Sequence, residues 1–112
     1  MNDDTIRSSL SDAVNEINKL IELTGDPDQL RQLHCLRDFF FDLWEAVIKQ
    51  DLDDTTPLYA AAITTLRDAE TAATTAQTDI SKIADAISKA AAAAKAVDQV
   101  VNLGLNVAKY FP

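Results

Sequence analysis

The feature that most constrains this chain is a stretch of its second half, from Leu58 to Leu103, that contains neither glycine nor proline. These two residue types are the strongest local interrupters of a helix. Starting at Tyr59, alternating steps of three and four residues reach an apolar residue or a glycine every time, as far as Ala108. This spacing is typical of the buried seam of a coiled coil or a long bundle helix. The stretch therefore predicts an all-α fold.

The length of this third helix decides between two architectures. A helix over about 57–103, with a possible extension to 110, would be roughly 70 Å long. A compact domain of 112 residues is only about 35 Å across. Either the helix is continuous and overhangs the rest of the chain, or it breaks near Thr74–Thr78 and folds back to make a four-helix bundle. The helix propensity of this region is lowered by Thr71, Thr74, Thr75 and Thr78, and Thr78 or Asp79 could cap a new helix. Because no glycine or proline marks a turn, we expect continuity.

The first half of the chain predicts two shorter helices, over about 4–23 and about 27–50. Asp26 before Pro27 and Thr56 before Pro57 both follow the pattern of a capping residue and a proline in the first helical position. Gly25 is expected to end the first helix. Together these elements predict a single helical domain over 1–112.

The second helix carries two apolar stripes. One runs along the leucines from Leu30 to Leu43, and a second contains Phe41, Trp44 and Ile48. A helix that is apolar on two faces usually packs between two neighbours, so we expect both stripes to be buried. The three consecutive phenylalanines span about 200° of the helix and cannot all face one core. If one of them is exposed, Phe39 or Phe41 is the best candidate for contact with a partner.

Several chemistries are excluded by residue counts. The chain has two glycines, too few for a dinucleotide fingerprint, and Gly25 and Gly104 are too far apart for a phosphate loop. One histidine and one cysteine exclude a zinc site built from those residues. His34 and Asp38 lie four residues apart, which we interpret as a solvated helix face with a local His–Asp pair. No catalytic residue, cofactor or metal is predicted.

Charge and hydropathy restrict the partners. Residues 1–56 hold 13 acids and five bases, whereas residues 57–112 hold five of each. The net charge of −8 argues against nucleic acid as a partner. No basic leader and no apolar run long enough to span a membrane is present, so we expect a cytoplasmic protein, with secretion without a cleaved leader left open.

The pattern favours a non-enzymatic protein–protein interaction or assembly subunit, such as an adaptor, a chaperone-like protein or a toxin-neutralising protein. Its partner would be a second copy of the chain or another helical protein, held by the long C-terminal helix. The alternative is a membrane-active amphipathic protein or a component of a pore-forming system. The predicted association surface consists of Ile80, Ile83, Ile87, Ala90, Ala94, Val97 and Val101 on that helix, with Phe39 and Phe41 as further candidates.

Overall fold

A computed structural model describes residues 5–50 and 52–104. They form four helices, α1 (Ile6–Leu23), α2 (Pro27–Lys49), α3 (Pro57–Thr78) and α4 (Ile83–Val101), with one 3₁₀ turn between α3 and α4. The predicted all-α helical bundle is confirmed. The possible extension of the last helix to 110 lies outside the described residues.

The starts of α2 and α3 follow the predicted pattern. The Asp26 carboxylate accepts a hydrogen bond of 2.8 Å from the backbone N–H of Asp28. The Thr56 hydroxyl likewise accepts one of 3.2 Å from the N–H of Tyr59. Each cap satisfies a backbone donor that the first turn of a helix leaves without a partner. A proline follows each cap in the first helical positions, as expected.

The end of α1 is near the predicted position but has a different cause. The helix ends at Leu23, and the Thr24 hydroxyl donates a hydrogen bond of 2.6 Å to the carbonyl of Leu20. α1 thus ends at the expected position, but Gly25 does not adopt the positive φ of a left-handed glycine cap. Left-handed backbone instead ends α4, where Asn102 has φ 55° and Gly104 has φ 81°.

The expectation of a continuous third helix is wrong, and the folded-back alternative is confirmed. α3 ends at Thr78, and Asp79 takes an extended conformation with φ −141°. Its carboxylate accepts bonds of 3.2 Å and 2.6 Å from the backbone N–H and hydroxyl of Ser81. This capped turn replaces the glycine or proline that the sequence lacks.

Burial explains why the chain turns at this point. Folding back puts Ile87 and Val97 into the core, and burying one such side chain contributes about 1.5–3 kcal/mol. Each backbone hydrogen bond lost at the turn costs only about 0.5–1.5 kcal/mol. The gain over the whole of α4 is therefore larger than the loss at the turn.

Two hydrogen bonds show how the helices are directed. The N–H of Ile6 donates to the Tyr59 hydroxyl at 3.1 Å, which brings together the starts of α1 and α3. The Gln50 amide donates to the Val101 carbonyl at 3.0 Å, which brings together the ends of α2 and α4. α1 is therefore parallel to α3, and α2 is parallel to α4. The other neighbours, α1 with α2 and α3 with α4, run antiparallel.

The core lies between the four helices, and its composition differs between the two halves of the chain. Leucine, isoleucine and phenylalanine dominate on α1 and α2, whereas α3 and α4 contribute mainly small alanines. Small side chains allow two helices to approach closely. The radius of gyration of 13.2 Å is that expected for a compact domain of this length. The Ala-rich half therefore buries its own surface.

Candidate functional site

The seam predicted as an association surface faces the core of its own chain. Ile83, Ile87, Ala90, Ala94, Val97 and Val101 are all buried. Ile80 is the exception: it lies in the turn before α4 and is 52% exposed. The heptad-like spacing on α4 thus describes packing against α2 and α3, and it leaves no continuous apolar face for a partner. The expected surface has to be corrected to another part of the molecule.

The side of α2 next to α1 carries a row of exposed apolar side chains. Phe41, Trp44 and Ile48 are 46%, 37% and 45% exposed, although we expected α2 to be covered on both faces. Their spacing of three and four residues places them in one row, here called the α2 stripe. α2 packs against α1 and α4 on its flanks, and no described helix covers its outer side.

The other two phenylalanines point elsewhere. Phe40 is fully buried, and Phe39 is half-buried against the core. Successive residues are separated by about 100° on a helix, so Phe41 is directed away from both of them. Of the two aromatic candidates from the sequence, Phe41 therefore belongs to the open surface. The spacing already placed Trp44 and Ile48 in the same stripe as Phe41, but both were expected to be buried and were not named as candidates for partner contact.

The edge of the α2 stripe next to α1 is lined by polar and basic groups. Arg7, Ser8 and Ser11 lie with Trp44 around one surface depression. Arg7 also lines a second depression of about 280 Å³, together with Ile48. The Arg7 side chain thus lies beside the C-terminal half of the stripe, between the levels of Trp44 and Ile48.

A second arginine lies on the same edge. Arg37 precedes Phe41 in the row, and its guanidinium donates a bond of 3.3 Å to the Asn18 carbonyl oxygen on α1. It also donates one of 3.0 Å to Nδ1 of His34, because a guanidinium has no acceptor. The sequence suggested a pairing of His34 with Asp38, but the recorded partner of the imidazole is Arg37.

The opposite edge of the α2 stripe is acidic. Viewed along α2, Trp44 lies about 60° to one side of Phe41, whereas Glu45 and Asp38 lie about 40° and 60° to the other side. Asp42 lies further round on that same side. Lys49 lies about 80° to the same side, and it lines one depression together with Asp42 and Glu45. The stripe is therefore bounded by arginines toward α1 and, on its far side, by three carboxylates with Lys49 among them.

The described residues also contain side chains that can bind metal ions and one thiol. Among residues 5–50 and 52–104, no three histidine, cysteine or acidic side chains are placed to hold a metal ion. Cys35 is half-buried, and burial together with Asp38 raises the pKa of its thiol. A raised pKa disfavours the nucleophilic thiolate. In the same part of the chain, no helix is long and apolar enough to cross a membrane.

Glu16 on α1 and Glu70 on α3 lie near each other, and their surroundings shift their pKa values in opposite directions. Hydrogen bonds from Gln77 (2.8 Å), Lys19 and Thr74 lower the pKa of Glu16. Burial and the nearby carboxylates of Asp12 and Glu16 raise the pKa of Glu70. Ionised Glu70 is thus less favourable in the folded chain than in the unfolded one.

We expect Glu70→Gln to raise the melting temperature at pH 7. Glu70 binds its proton more tightly when folded, so the destabilisation appears as the pH rises above the unfolded pKa and is absent below it. The gain should shrink as the pH is lowered toward about 4, near the pKa of an ordinary glutamate. Thermal unfolding followed by circular dichroism at pH 7 and at about pH 4 measures this gain in melting temperature. Glu22→Gln on α1 is the control. An equal or lower melting temperature at pH 7 would contradict the assignment.

No protein-family model, curated protein or solved structure matches this chain. The α2 stripe is therefore interpreted from its own chemistry.

Proposed function

We propose that this protein is a non-enzymatic interaction subunit that binds its partner through the α2 stripe. Roles as an assembly subunit, an adaptor, a chaperone-like protein or a toxin-neutralising protein all fit this description. The observation that carries the proposal is the exposure of Phe41, Trp44 and Ile48 in one continuous row. Apolar rows bounded by polar groups are typical of protein-binding surfaces.

The residue types support a binding role. Tryptophan is among the residues that contribute most to binding energy, and Trp44 lies at the centre of the stripe. The stripe lies on a helix of 23 residues that is held on both flanks, so little ordering is needed when a partner binds. Its bounding charges supply orientation, because Arg7 and Glu45 favour opposite charges on the partner.

The geometry favours a helix as the partner element. Three apolar side chains at spacings of three and four residues extend over two turns of α2, which is the length that another helix can follow. Helices that bind in this way place their own apolar row along the stripe. The predicted seam on α4 does not compete for this role, because its apolar side chains are in the core.

A site-specific photo-crosslinker tests this function in cells that naturally express the chain. We expect p-benzoylphenylalanine at position 41 to give one product of discrete mass, identified by mass spectrometry. The matched control carries the same group in place of Thr64, which is exposed on α3. Absence of a product from position 41, or the same products from both positions, would overturn the proposal.

A further inference from the structure

We infer that the occupant of the α2 stripe is a second copy of this chain, packed with the two α2 helices parallel. This inference rests on the proposed function and adds the identity and orientation of the partner. It is carried by the opposite net charges of the two edges of the stripe, two arginines on one and three carboxylates with Lys49 on the other, which complement each other best when the two α2 helices are parallel.

The symmetry argument is geometric. Two identical faces packed against each other are related by a two-fold axis that lies in the interface. If this axis is perpendicular to α2, the helices are antiparallel and each basic edge meets the same basic edge. If the axis runs along α2, the helices are parallel, and the arginine edge of one copy meets the carboxylate edge of the other. The parallel arrangement thus places edges of opposite net charge together, whereas the antiparallel arrangement places edges of like net charge together.

The charged residues on the two edges also lie at matching positions along the axis of α2, as a parallel pair of helices requires. Arg7 lies at the level of Trp44 and Ile48, which is the level of Glu45. Arg7 of one copy therefore lies opposite Glu45 of the other. Arg37 of one copy likewise lies at the same position along the axis as Asp38 of the other, because the two residues are neighbours in sequence. The two-fold axis repeats each of these contacts.

The apolar residues fit the same arrangement. Phe41, Trp44 and Ile48 have the spacing of alternating core positions in a parallel coiled coil, and Glu45 has the flanking position that forms interhelical ion pairs. In the parallel dimer, each residue of the α2 stripe then lies beside the same residue of the second copy, close to the two-fold axis. The bond to Asn18 holds Arg37 toward α1, and away from its counterpart. A contact of two turns is short, so we expect a weak, concentration-dependent dimer.

Sedimentation equilibrium of the full chain from about 1 to 500 µM tests the second copy. We expect the average mass to rise from monomer to dimer over this range. Trp44→Glu should weaken dimerisation at least tenfold while leaving the helical circular dichroism unchanged. Thr64→Glu, which places the same charge on exposed α3, should leave it unchanged. A monomer at every concentration overturns the second copy, whereas a crosslink from position 41 to another protein would still support the proposed function.

Charge reversal tests the parallel pairing. Arg7→Glu and Glu45→Arg should each weaken dimerisation about fivefold, because exposed ion pairs are individually weak but occur twice here. The double variant, with both reversed, should recover most of the loss since the opposed charges again differ. Failure of the double variant to recover overturns the pairing of these two residues.

A disulfide tests the orientation directly. In a Cys35→Ser background, Ile48→Cys places the new thiol opposite its counterpart in the parallel dimer. Mild oxidation should then give a covalent dimer on a non-reducing gel. In an antiparallel pair centred between Trp44 and Glu45, position 48 would lie opposite Phe41, and a Phe41→Cys, Ile48→Cys chain would cross-link whereas Ile48→Cys alone would not. That second result would overturn the parallel arrangement.

Discussion

Replacing Ile87 with aspartate is expected to unfold the bundle. Ile87 lies in α4 with 5% of its surface exposed, and its side chain is in the core shared by the four helices. The substitution removes about 1.5–3 kcal/mol of apolar burial. It also requires a carboxylate to be buried without a partner, which costs further kcal/mol. A total loss above about 4 kcal/mol is comparable to the whole stability of many small domains, which begins at about 5 kcal/mol.

Ile80 supplies the matched control for this experiment. It belongs to the same predicted seam and undergoes the same chemical change, but it is 52% exposed in the turn before α4. Ile80→Asp should therefore change the free energy of unfolding by about 0.5 kcal/mol or less. Urea titration followed by circular dichroism measures both variants, and light scattering reports their mass. An Ile87→Asp chain that stays folded and only loses association would restore the α4 seam as the binding surface.

Phe40→Ala is expected to cost about 3–5 kcal/mol of stability, because a fully buried phenylalanine leaves a cavity that its neighbours fill only in part. Phe41→Ala, one residue further along α2, should cost clearly less stability, because Phe41 is 46% exposed and buries only about half as much apolar surface. Its effect should also be seen in association, since Phe41 belongs to the α2 stripe. The same substitution at adjacent positions thus separates folding from binding.

Urea unfolding at equal protein concentrations, well below the range of association, measures this pair. Low concentration matters because a dimer stabilises the folded state by mass action. Equal losses of stability at the two positions would mean that Phe41 is covered by the chain's own core. If Phe40→Ala and Phe41→Ala weakened association equally and had the same free energy of unfolding, Phe40 would be exposed like Phe41.

These experiments separate the two apolar faces of α2 by their roles. The face with Phe40 lies in the core of the bundle, whereas the face with Phe41, Trp44 and Ile48 is partly exposed to water. Retaining large aromatic side chains in water is consistent with a role in binding. The proposed dimer gives this face a partner without changing the packing of α1 or α4.

The sequence by itself was sufficient for the helix class and for most helix boundaries. Asp26 and Thr56, each followed by a proline, mark the starts of α2 and α3 through interactions within a few residues. Caps and fixed proline angles act locally, so they can be recognised without knowing the rest of the fold. The spacing along α4 likewise identified which residues share one face.

Only the tertiary structure decided what each face meets. The spacing of Ile83 and Ile87 is the same whether they pack on a second chain or on α2 and α3 of their own, because periodicity defines a face and not its neighbour. Asp79 could be recognised as a possible cap. Whether the chain turns there depends on the burial of the whole of α4, which cannot be read from neighbouring residues. Once α4 folds back, it occupies the position beside α2 that the sequence left open. Among residues 5–50 and 52–104, no helix covers the α2 stripe, and the proposed association surface is therefore placed there and not on α4.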